Sequence, residues 1–212
     1  MSRTTRDGAY RAPVVGLLGA AAGGKSTVAA LLAAHGAAVV DADRVGHEVL
    51  EEPDVREALQ REFGPQVFGP DGRVARRKLA ELVFADAGRL QRLDDLVHPR
   101  ICDRVRQQVA EQRRNEAAPM VVLDAALLLE KGLDSCCDVL VFVQSDPEQR
   151  RERAGRDRGW SGTELADRDA AQMEPEEKRR RADYVIVNTG TTRQLAESVD
   201  KLFKQIRQKI RT

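Results

Sequence analysis

Few aromatic residues and little net charge set the first limits on what this chain can be. Aromatic side chains make up only 4% of the 212 residues, which leaves few platforms for stacking the bases of single-stranded nucleic acid. Acidic and basic residues nearly cancel to a net charge of +1, so no overall field attracts nucleic acid or a membrane surface. We therefore expect neither a nucleic acid nor a membrane as partner.

Thiols, imidazoles and long apolar runs are scarce as well. The three cysteines, Cys102, Cys136 and Cys137, are odd in number and lack C-x-x-C spacing, so neither a disulfide framework nor a zinc site is indicated. The three histidines lie far apart in the sequence, which disfavours a metal cluster. No apolar run approaches the ~20 residues of a membrane span, and the first residues lack the apolar core of a signal peptide. A reducing cytoplasm is the expected compartment.

What the sequence does contain is a phosphate-binding motif. Residues Gly19–Ser26 fit G-x-x-x-x-G-K-[ST], preceded by a strand-like run, Val14–Leu18, and followed by a helix-like run, residues 27–35. In that setting backbone N–H groups and a helix N-terminus favour a bound anion. Lys25 can then reach the β- and γ-phosphates of a nucleotide, and the Ser26 hydroxyl can ligate Mg²⁺. The alternative is a glycine-rich strand-to-helix turn with no ligand.

The apolar runs predict an α/β fold with a five-stranded parallel sheet flanked by helices. After the first strand, the predicted strands are Ala37–Asp41, Met120–Asp124, Val139–Val143 and Tyr184–Asn188. They are rich in β-branched residues and do not alternate, as expected of parallel strands buried on both faces. We expect a loose tail over residues 1–13 and one domain over residues 14–212.

Two helical regions complete the predicted domain. Residues 53–115 lack a strand-like run and predict a helical insertion, which includes shorter helices at Glu57–Phe63 and Arg77–Phe84. This insertion either covers the sheet or shapes a pocket for a second substrate beyond the carboxyl ends of the strands. A last helix starts near Thr191, and its apolar stripe predicts core packing. The stripe consists of Leu195, Val199, Leu202, Ile206 and Ile210.

Carboxylates end the second and third predicted strands. Asp41 and Asp43 lie at the end of the second strand, on the same edge of the sheet as the phosphate loop, where a carboxylate can orient an attacking hydroxyl and accept its proton. The alternative for Asp43 is an N-cap of a helix over Arg44–Leu50. Asp124 ends the third strand and gives it the pattern of a Walker B segment, which favours a contact with Mg²⁺.

An arginine-rich segment follows the fourth strand. It begins with a plausible helix start, Ser145–Glu148, and then carries five arginines within nine residues: Arg150, Arg151, Arg153, Arg156 and Arg158. We interpret residues 150–182 as a lid whose guanidinium groups, Arg153 and Arg156 above all, close over a transferring phosphate. A solvated basic face is the alternative. Trp160, the only tryptophan, is predicted to be a packing anchor.

Taken in order, these segments resemble the dephospho-coenzyme A kinase family. The matching segments are Gly16–Gly19 with Gly24–Thr27, Asp41–Asp43, His98–Arg100, Leu127–Glu130 with Gly132–Leu133, Arg158–Trp160, Gln172, Lys178 and Ala182–Gly190. They extend over about residues 14–206. The phosphate loop is the one motif that would be strong evidence by itself, so it is the complete set in this order that points to the family.

The resemblance implies a P-loop kinase fold and transfer of the γ-phosphate of ATP to the ribose 3′-hydroxyl of dephospho-coenzyme A, with Mg²⁺ as cofactor. It implies that Asp43 is the base, that Asp41 lies beside it in the substrate site, and that His98 and Arg100 belong to the acceptor site. For ATP it implies a nucleotide site formed by the loop, with Thr27, and by the Asn188–Gly190 turn. Within the loop, the residues implied to contact ATP are Gly19, Ala22, Gly23, Gly24, Lys25 and Ser26. We expect a monomer or weak oligomer.

The loop departs from the family pattern, which usually reads Gly-Gly-Ile-Gly-Ser-Gly-Lys-Ser. Ala20 and Ala22 stand where its second and third glycines lie, so an unstrained loop requires a negative φ at Ala22. Ala126 replaces the family's proline before Leu127. Three alternatives in function follow: a kinase of another small metabolite, a nucleotide-dependent switch or binding protein, and a nucleotide-binding paralogue without turnover. No Asp-x-x-Gly follows the third predicted strand, and no Asn-Lys-x-Asp occurs in the sequence, which disfavours a GTPase switch.

Overall fold

The computed structural model describes residues 11–211, with only the backbone given at residues 210 and 211. Within them the chain divides into two compact units, residues 11–41 with 106–211 and residues 42–105. Most of the predicted tail lies outside the described residues. Its end does not: Ala12 is buried and its N–H donates to the Arg113 carbonyl over 2.9 Å, while the Pro13 carbonyl accepts from Val121 over 2.8 Å.

The first unit is built on the five-stranded parallel sheet that the sequence predicts. The strands are β1 (Val14–Leu18), β2 (Ala38–Asp41), β3 (Val121–Asp124), β4 (Val139–Gln144) and β5 (Tyr184–Val187), in the order β2-β3-β1-β4-β5. All neighbouring pairs are parallel, so every carboxyl end lies at one edge. Because β1 is central, the loop that follows it emerges between β3 and β4.

Helices of this unit cover the sheet and extend beyond its carboxyl edge. They are α1 (Lys25–Ala34), α6 (Pro147–Arg158), α7 (Gly162–Ala170), α8 (Pro175–Arg181) and α9 (Thr192–Arg211). Helices α1 and α9 pack on the sheet through one core cluster, in which Leu32 and Val199 are fully buried. The predicted α9 stripe is confirmed at Leu195, Val199, Leu202 and Ile206; the side chain of Ile210 lies outside the described residues. Burial of each such side chain stabilises the fold by ~1.5–3 kcal/mol.

The ends of α6 and α7 are defined by their capping residues. The Asp146 carboxylate accepts hydrogen bonds from the N–H groups of Glu148 (2.9 Å) and Gln149 (3.1 Å), and Pro147 occupies the first turn of α6, as the sequence predicts. Ser161 and Glu164 form a reciprocal capping box at the start of α7. These local signals determine where the two helices of the arginine-rich segment begin.

The second unit is helical. It contains α2 (Ala42–Leu50), α3 (Pro53–Phe63), α4 (Arg76–Phe84) and the first part of α5 (Ala87–Gln112), which continues into the first unit. A 3₁₀ turn at Pro65–Val67 and an isolated bridge between Phe68 and Val74 join α3 to α4. Its core consists of fully or nearly fully buried side chains, among them Val45, Val49, Val55, Leu59, Phe63, Leu79, Val83 and Val105. Among residues 11–211 no helix is both long and apolar enough to cross a membrane.

Candidate active site

The phosphate loop folds around its own lysine. Strand β1 ends at Leu18 and helix α1 begins at Lys25, so the motif forms the turn between them. The Lys25 ammonium is buried and donates to the carbonyl oxygens of Gly19 (2.9 Å) and Ala20 (3.0 Å). This arrangement holds a positive charge inside the loop at the N-terminus of α1, where the helix dipole also favours an anion.

Gly24 is required in this loop by both conformation and space. Its φ is 94°, and a Cβ there would overlap the side-chain nitrogen of Asn188. Asn188 is buried and donates from that nitrogen to the Gly23 carbonyl over 3.0 Å. The turn after β5 therefore contacts the phosphate loop directly, as expected if both belong to one nucleotide site; Gly190, two residues on, lies beside Gln194.

At Ala22 the condition for an unstrained loop, a negative φ, is not met. Its φ is +54°, and it is the one non-glycine residue with positive φ among residues 11–211. A left-handed conformation costs an L-residue ~1–2 kcal/mol because Cβ approaches the following carbonyl oxygen. The methyl groups of Ala21 and Ala22 pack against a small apolar cluster in the predicted lid segment that comprises Ala154, Leu165 and Trp160.

The strand-end carboxylates Asp41 and Asp124 lie side by side. They are register partners across β2 and β3, and Asp124 is also the register partner of Leu17 on β1. Both are half-buried. The parallel sheet thus brings together two carboxylates that are 83 positions apart in the sequence, by subtraction of their numbers, at the edge from which the loop leaves β1.

Asp43 lies in the first turn of α2 and is exposed. The N-cap interpretation of Asp43 is wrong, since α2 begins at Ala42 and Asp43 is its second residue. A carboxylate in a first helical turn interacts favourably with the helix dipole. Asp43 belongs to the second unit, and one residue, Ala42, separates it in the sequence from the end of β2.

The structure separates the two predicted lid arginines. Arg153 donates to Gln149 Oε1 over 3.0 Å and to the Asn188 carbonyl over 3.4 Å. Its Nη1 is buried, has no hydrogen-bond partner among the described residues and lies beside Gly24. Arg156 is 72% exposed and pairs with its neighbour Asp157 at 2.6 Å, which raises the pKa of the guanidinium and lowers that of the carboxylate. In this arrangement only the first of the two contacts the loop region.

A third arginine, Arg150, also reaches the loop. Its Nε donates to the Ala21 carbonyl over 2.8 Å, and its Nη2 pairs with Asp169 on α7 at 2.6 Å. The number of arginines in the sequence indicates that this segment is unusual. Which guanidinium reaches the phosphate loop depends on how α6 is rotated about its own axis. The predicted packing role of Trp160 is consistent with its place in the lid cluster, where Arg158 and Arg168 lie over its ring.

In the second unit, the two predicted acceptor-site residues lie on α5 in different surroundings. The exposed Arg100 pairs with Asp54 and lies 3.8 Å from Glu52; its hydrogen bond lowers the pKa of Asp54. The half-buried His98 contacts the Cys102 sulfur, at 3.5 Å from Nδ1. Proline at position 99 removes one backbone donor between them, yet α5 continues through it.

A buried ion pair joins the segment after β3 to α8. Lys178 is 2% exposed, lies 2.9 Å from Glu130 Oε1 and donates to Gln172 over 3.0 Å. Met173 donates its N–H to the same Glu130 oxygen over 2.6 Å. Burial alone would raise the pKa of Glu130, but this N–H and the Lys178 ammonium outweigh burial and lower it. Glu130, Gln172 and Lys178 are among the residues on which the family resemblance rests, and the sequence assigned them no role.

Comparisons with known proteins agree along nearly the whole chain. The family model described as dephospho-CoA kinase (CoaE) matches residues 13–194. A dephospho-CoA kinase of Symbiobacterium thermophilum is 45% identical over 179 residues, 84% of this chain and 74% of that protein. One from Thermobifida fusca is 38% identical over 92% of this chain and 97% of that protein. The crystal structure of TT1252 from Thermus thermophilus is 37% identical and superposes with a TM-score of 0.75 over 92% of this chain and 98% of that one.

The likeness to the solved structure confirms the expected P-loop kinase fold, and the family match covers both the phosphate loop and the turn that contacts it. Since the model and the two relatives agree over so much of the sequence, the chain belongs to the dephospho-CoA kinase family.

Proposed function

We propose that this chain transfers the γ-phosphate of ATP to the ribose 3′-hydroxyl of dephospho-coenzyme A and so completes coenzyme A. As a member of its family the chain is a kinase, and a kinase uses ATP. The observation that carries the proposal is the phosphate loop closed around Lys25 beside the carboxylate pair Asp41 and Asp124. Phosphoryl transfer needs positive charge beside the phosphates and carboxylates near the reacting groups, and the loop and this edge of the sheet provide both.

The loop residues and two side chains from neighbouring elements form the proposed ATP site. Lys25 would exchange its bonds to loop carbonyls for bonds to β- and γ-phosphate oxygens. Arg153 offers its buried Nη1 next to Gly24 to the same anion, which accounts for a donor that has no acceptor in the described part of the chain. Asn188 holds the Gly23 carbonyl and thereby keeps the cradle open. Charge that develops on the transferred group is stabilised by these fixed donors.

The residues beside the loop fit Mg²⁺. The cation prefers oxygen ligands, and the exposed Ser26 hydroxyl in the first turn of α1 and the half-buried Asp124 carboxylate are such donors. When bound, Mg²⁺ supplies positive charge that offsets the charge of the phosphates. We assign Ser26 and Asp124 as the residues that would hold it, with Asp41 next to Asp124 in the sheet.

Asp43 is the proposed general base. Its carboxylate accepts the proton of the 3′-hydroxyl as that oxygen bonds to the γ-phosphorus and the bond from phosphorus to the β,γ-bridging oxygen breaks, which releases ADP. On the acceptor side we propose His98 and Arg100, whose side chains can contact the diphosphate of dephospho-coenzyme A. Three free cysteines and a soluble substrate favour the cytoplasm as the place of reaction.

The deciding experiment is an ADP-release assay over a panel of acceptors, paired with a direct measurement of ATP binding. Dephospho-coenzyme A should support turnover, and its 3′-deoxy analogue should not, since it lacks the attacking oxygen. Phosphorus NMR of the product should show a new 3′-phosphomonoester. Turnover with a different acceptor would instead identify a kinase of another metabolite. ATP binding without ADP release from any acceptor would identify a paralogue without turnover.

A further inference from the structure

Arg150 differs from the other arginines of the lid in what its guanidinium contacts. It is only 12% exposed, whereas Arg151, its neighbour on α6, is 64% exposed. From one planar group, Nε donates to the Ala21 carbonyl over 2.8 Å and Nη2 donates to Asp169 over 2.6 Å. A single side chain therefore connects three elements of the first unit: the phosphate loop, α6 and α7.

The loop segment that Arg150 holds is the strained one. Ala21 immediately precedes Ala22, the residue with a φ of +54°. A non-glycine residue stays in such a conformation only where its surroundings determine the backbone more strongly than its own preference does. Two contacts do so here: the bond from Arg150 to the Ala21 carbonyl, and the packing of both alanine methyl groups on Ala154, Leu165 and Trp160.

The direction of the hydrogen bond also matters. A loop carbonyl that is bound from outside by a guanidinium cannot turn towards the phosphate, where its lone pairs would repel the anion. Asp169 in turn orients the guanidinium and balances its charge in a place where little solvent reaches it. Lysine has one small cationic head group and does not reproduce a planar fork that serves two acceptors at once.

We propose that Arg150 is a positioning residue that keeps the alanine-substituted phosphate loop in its ATP-binding shape by bridging the Ala21 carbonyl to Asp169. In this role it touches neither ATP nor the acceptor and acts through the loop backbone. The proposal rests on the proposed function in one respect, namely that this loop is where ATP binds.

The test compares Arg150→Met with Arg151→Met, the same substitution one position along the helix. ATP affinity is measured without acceptor, by equilibrium dialysis and by the fluorescence of Trp160, which packs in the cluster that contacts the loop. Arg150→Met should weaken ATP binding and raise KM for ATP about tenfold, as for loss of one charge-assisted hydrogen bond. kcat at saturating ATP and KM for dephospho-coenzyme A should change less than about twofold. Arg150→Lys should resemble Arg150→Met, and Arg151→Met should resemble the wild type.

A second substitution tests the link to strain. Ala22→Gly removes the cost of the left-handed conformation, so the Arg150→Met, Ala22→Gly double variant should recover most of the lost ATP affinity. A side chain that served only to stabilise the fold would not give this recovery. Asp169→Ala, which leaves the bond to Ala21 possible, should give a smaller loss of affinity than Arg150→Met, and it is the variant to use if Arg150→Met does not fold.

Three results would overturn the proposal: equal ATP affinities for the Arg150 and Arg151 variants, no recovery by Ala22→Gly, or a fall in kcat with KM for ATP unchanged. The last would mean that Arg150 acts on the transferred phosphate itself. Failure of the proposed function gives a different result, since the wild-type chain would then bind ATP without phosphorylating dephospho-coenzyme A, or would not bind ATP.

Discussion

Ala22 shows how one methyl group affects the phosphate loop at the residue scale. Its positive φ costs ~1–2 kcal/mol, whereas glycine at the same place would lose ~0.4–1 kcal/mol through the greater entropy of the unfolded chain. We therefore expect Ala22→Gly to stabilise the protein by about 0.5–1 kcal/mol in urea unfolding. Ala20→Gly, in the same loop but not at positive φ, is the control and should destabilise it. Destabilisation by both changes alike would contradict strain at Ala22.

Asp43 gives the sharpest test of the chemistry. Asp43→Asn keeps the size of the side chain but cannot take up the hydroxyl proton, and a general base contributes roughly 10²–10⁴-fold. Single-turnover transfer with both substrates saturating should slow by about that factor, with the melting temperature and both affinities nearly unchanged. Asp41→Asn should slow transfer less. If Asp43→Asn transfers phosphate at a normal rate, Asp43 is not the base and Asp41 is the next candidate.

Cys137 lies in an environment that disfavours its reactive thiolate form. Burial, with smaller contributions from Cys136 and Asp134, raises the pKa of Cys137 to about 12. The thiolate is the reactive form, so Cys137 should not be alkylated by iodoacetamide at pH 8 in the native chain and should be alkylated after unfolding. Mass spectrometry of the modified peptides measures this. Rapid native labelling of Cys137 would show that its surroundings open readily.

At the scale of the element, the arginines of helix α6 lie in different surroundings. Arg153 faces the loop at Gly24, while Arg156 faces solvent with Asp157. Arg153→Ala should lower kcat by on the order of 10²-fold, as loss of one preorganised donor does, and should weaken ATP binding much less. Arg156→Ala should lower kcat by less than about threefold, as expected of a surface ion pair. Steady-state kinetics of the two variants decide the matter, and equally large losses of kcat would mean that Arg156 reaches the phosphate when the lid closes.

At the scale of the whole molecule, the buried ion pair of Lys178 and Glu130 connects α8 to the segment after β3. Removal of one partner leaves a buried charge, which typically costs about 3–5 kcal/mol. Lys178→Met should therefore destabilise the chain by about that amount. The Lys178→Met, Glu130→Gln double variant should regain part of the loss, because neither charge is then left unpaired. Additive losses in the double variant would contradict the pairing.

The pair also predicts how stability depends on pH. The folded pKa of Glu130 lies below its ordinary value, so the contribution of this carboxylate is complete above that value and is lost as the pH falls through the folded pKa. The wild type should thus lose more stability than Glu130→Gln between pH 6 and strongly acidic solution, as urea unfolding at a series of pH values would show. Parallel pH curves for the two proteins would contradict the lowered pKa.

The elements of this protein follow from local patterns in its sequence. Continuous apolar runs predicted all five strands, with ends within one residue of those observed. Burial on both faces explains the pattern in the central strands, whereas β5 at the edge of the sheet leaves Val185 and Val187 exposed. Asp146 and Pro147 predicted the start of α6, since capping and a fixed φ act within a few residues. The phosphate loop was recognisable because its glycines, lysine and serine occur at fixed offsets, and the family followed from the order of such segments.

Only the tertiary structure decided which side chains meet and at what cost. The positive φ of Ala22, and the bond from Arg150 to the carbonyl of the preceding Ala21, are not evident from the neighbouring residues in the sequence. Likewise, the contact of Asn188 with Gly23 and the pairing of Lys178 with Glu130 join residues far apart in the chain, and each depends on which segments the fold brings together. Residue type and spacing specify what a side chain can do, whereas packing in three dimensions specifies which partner it reaches.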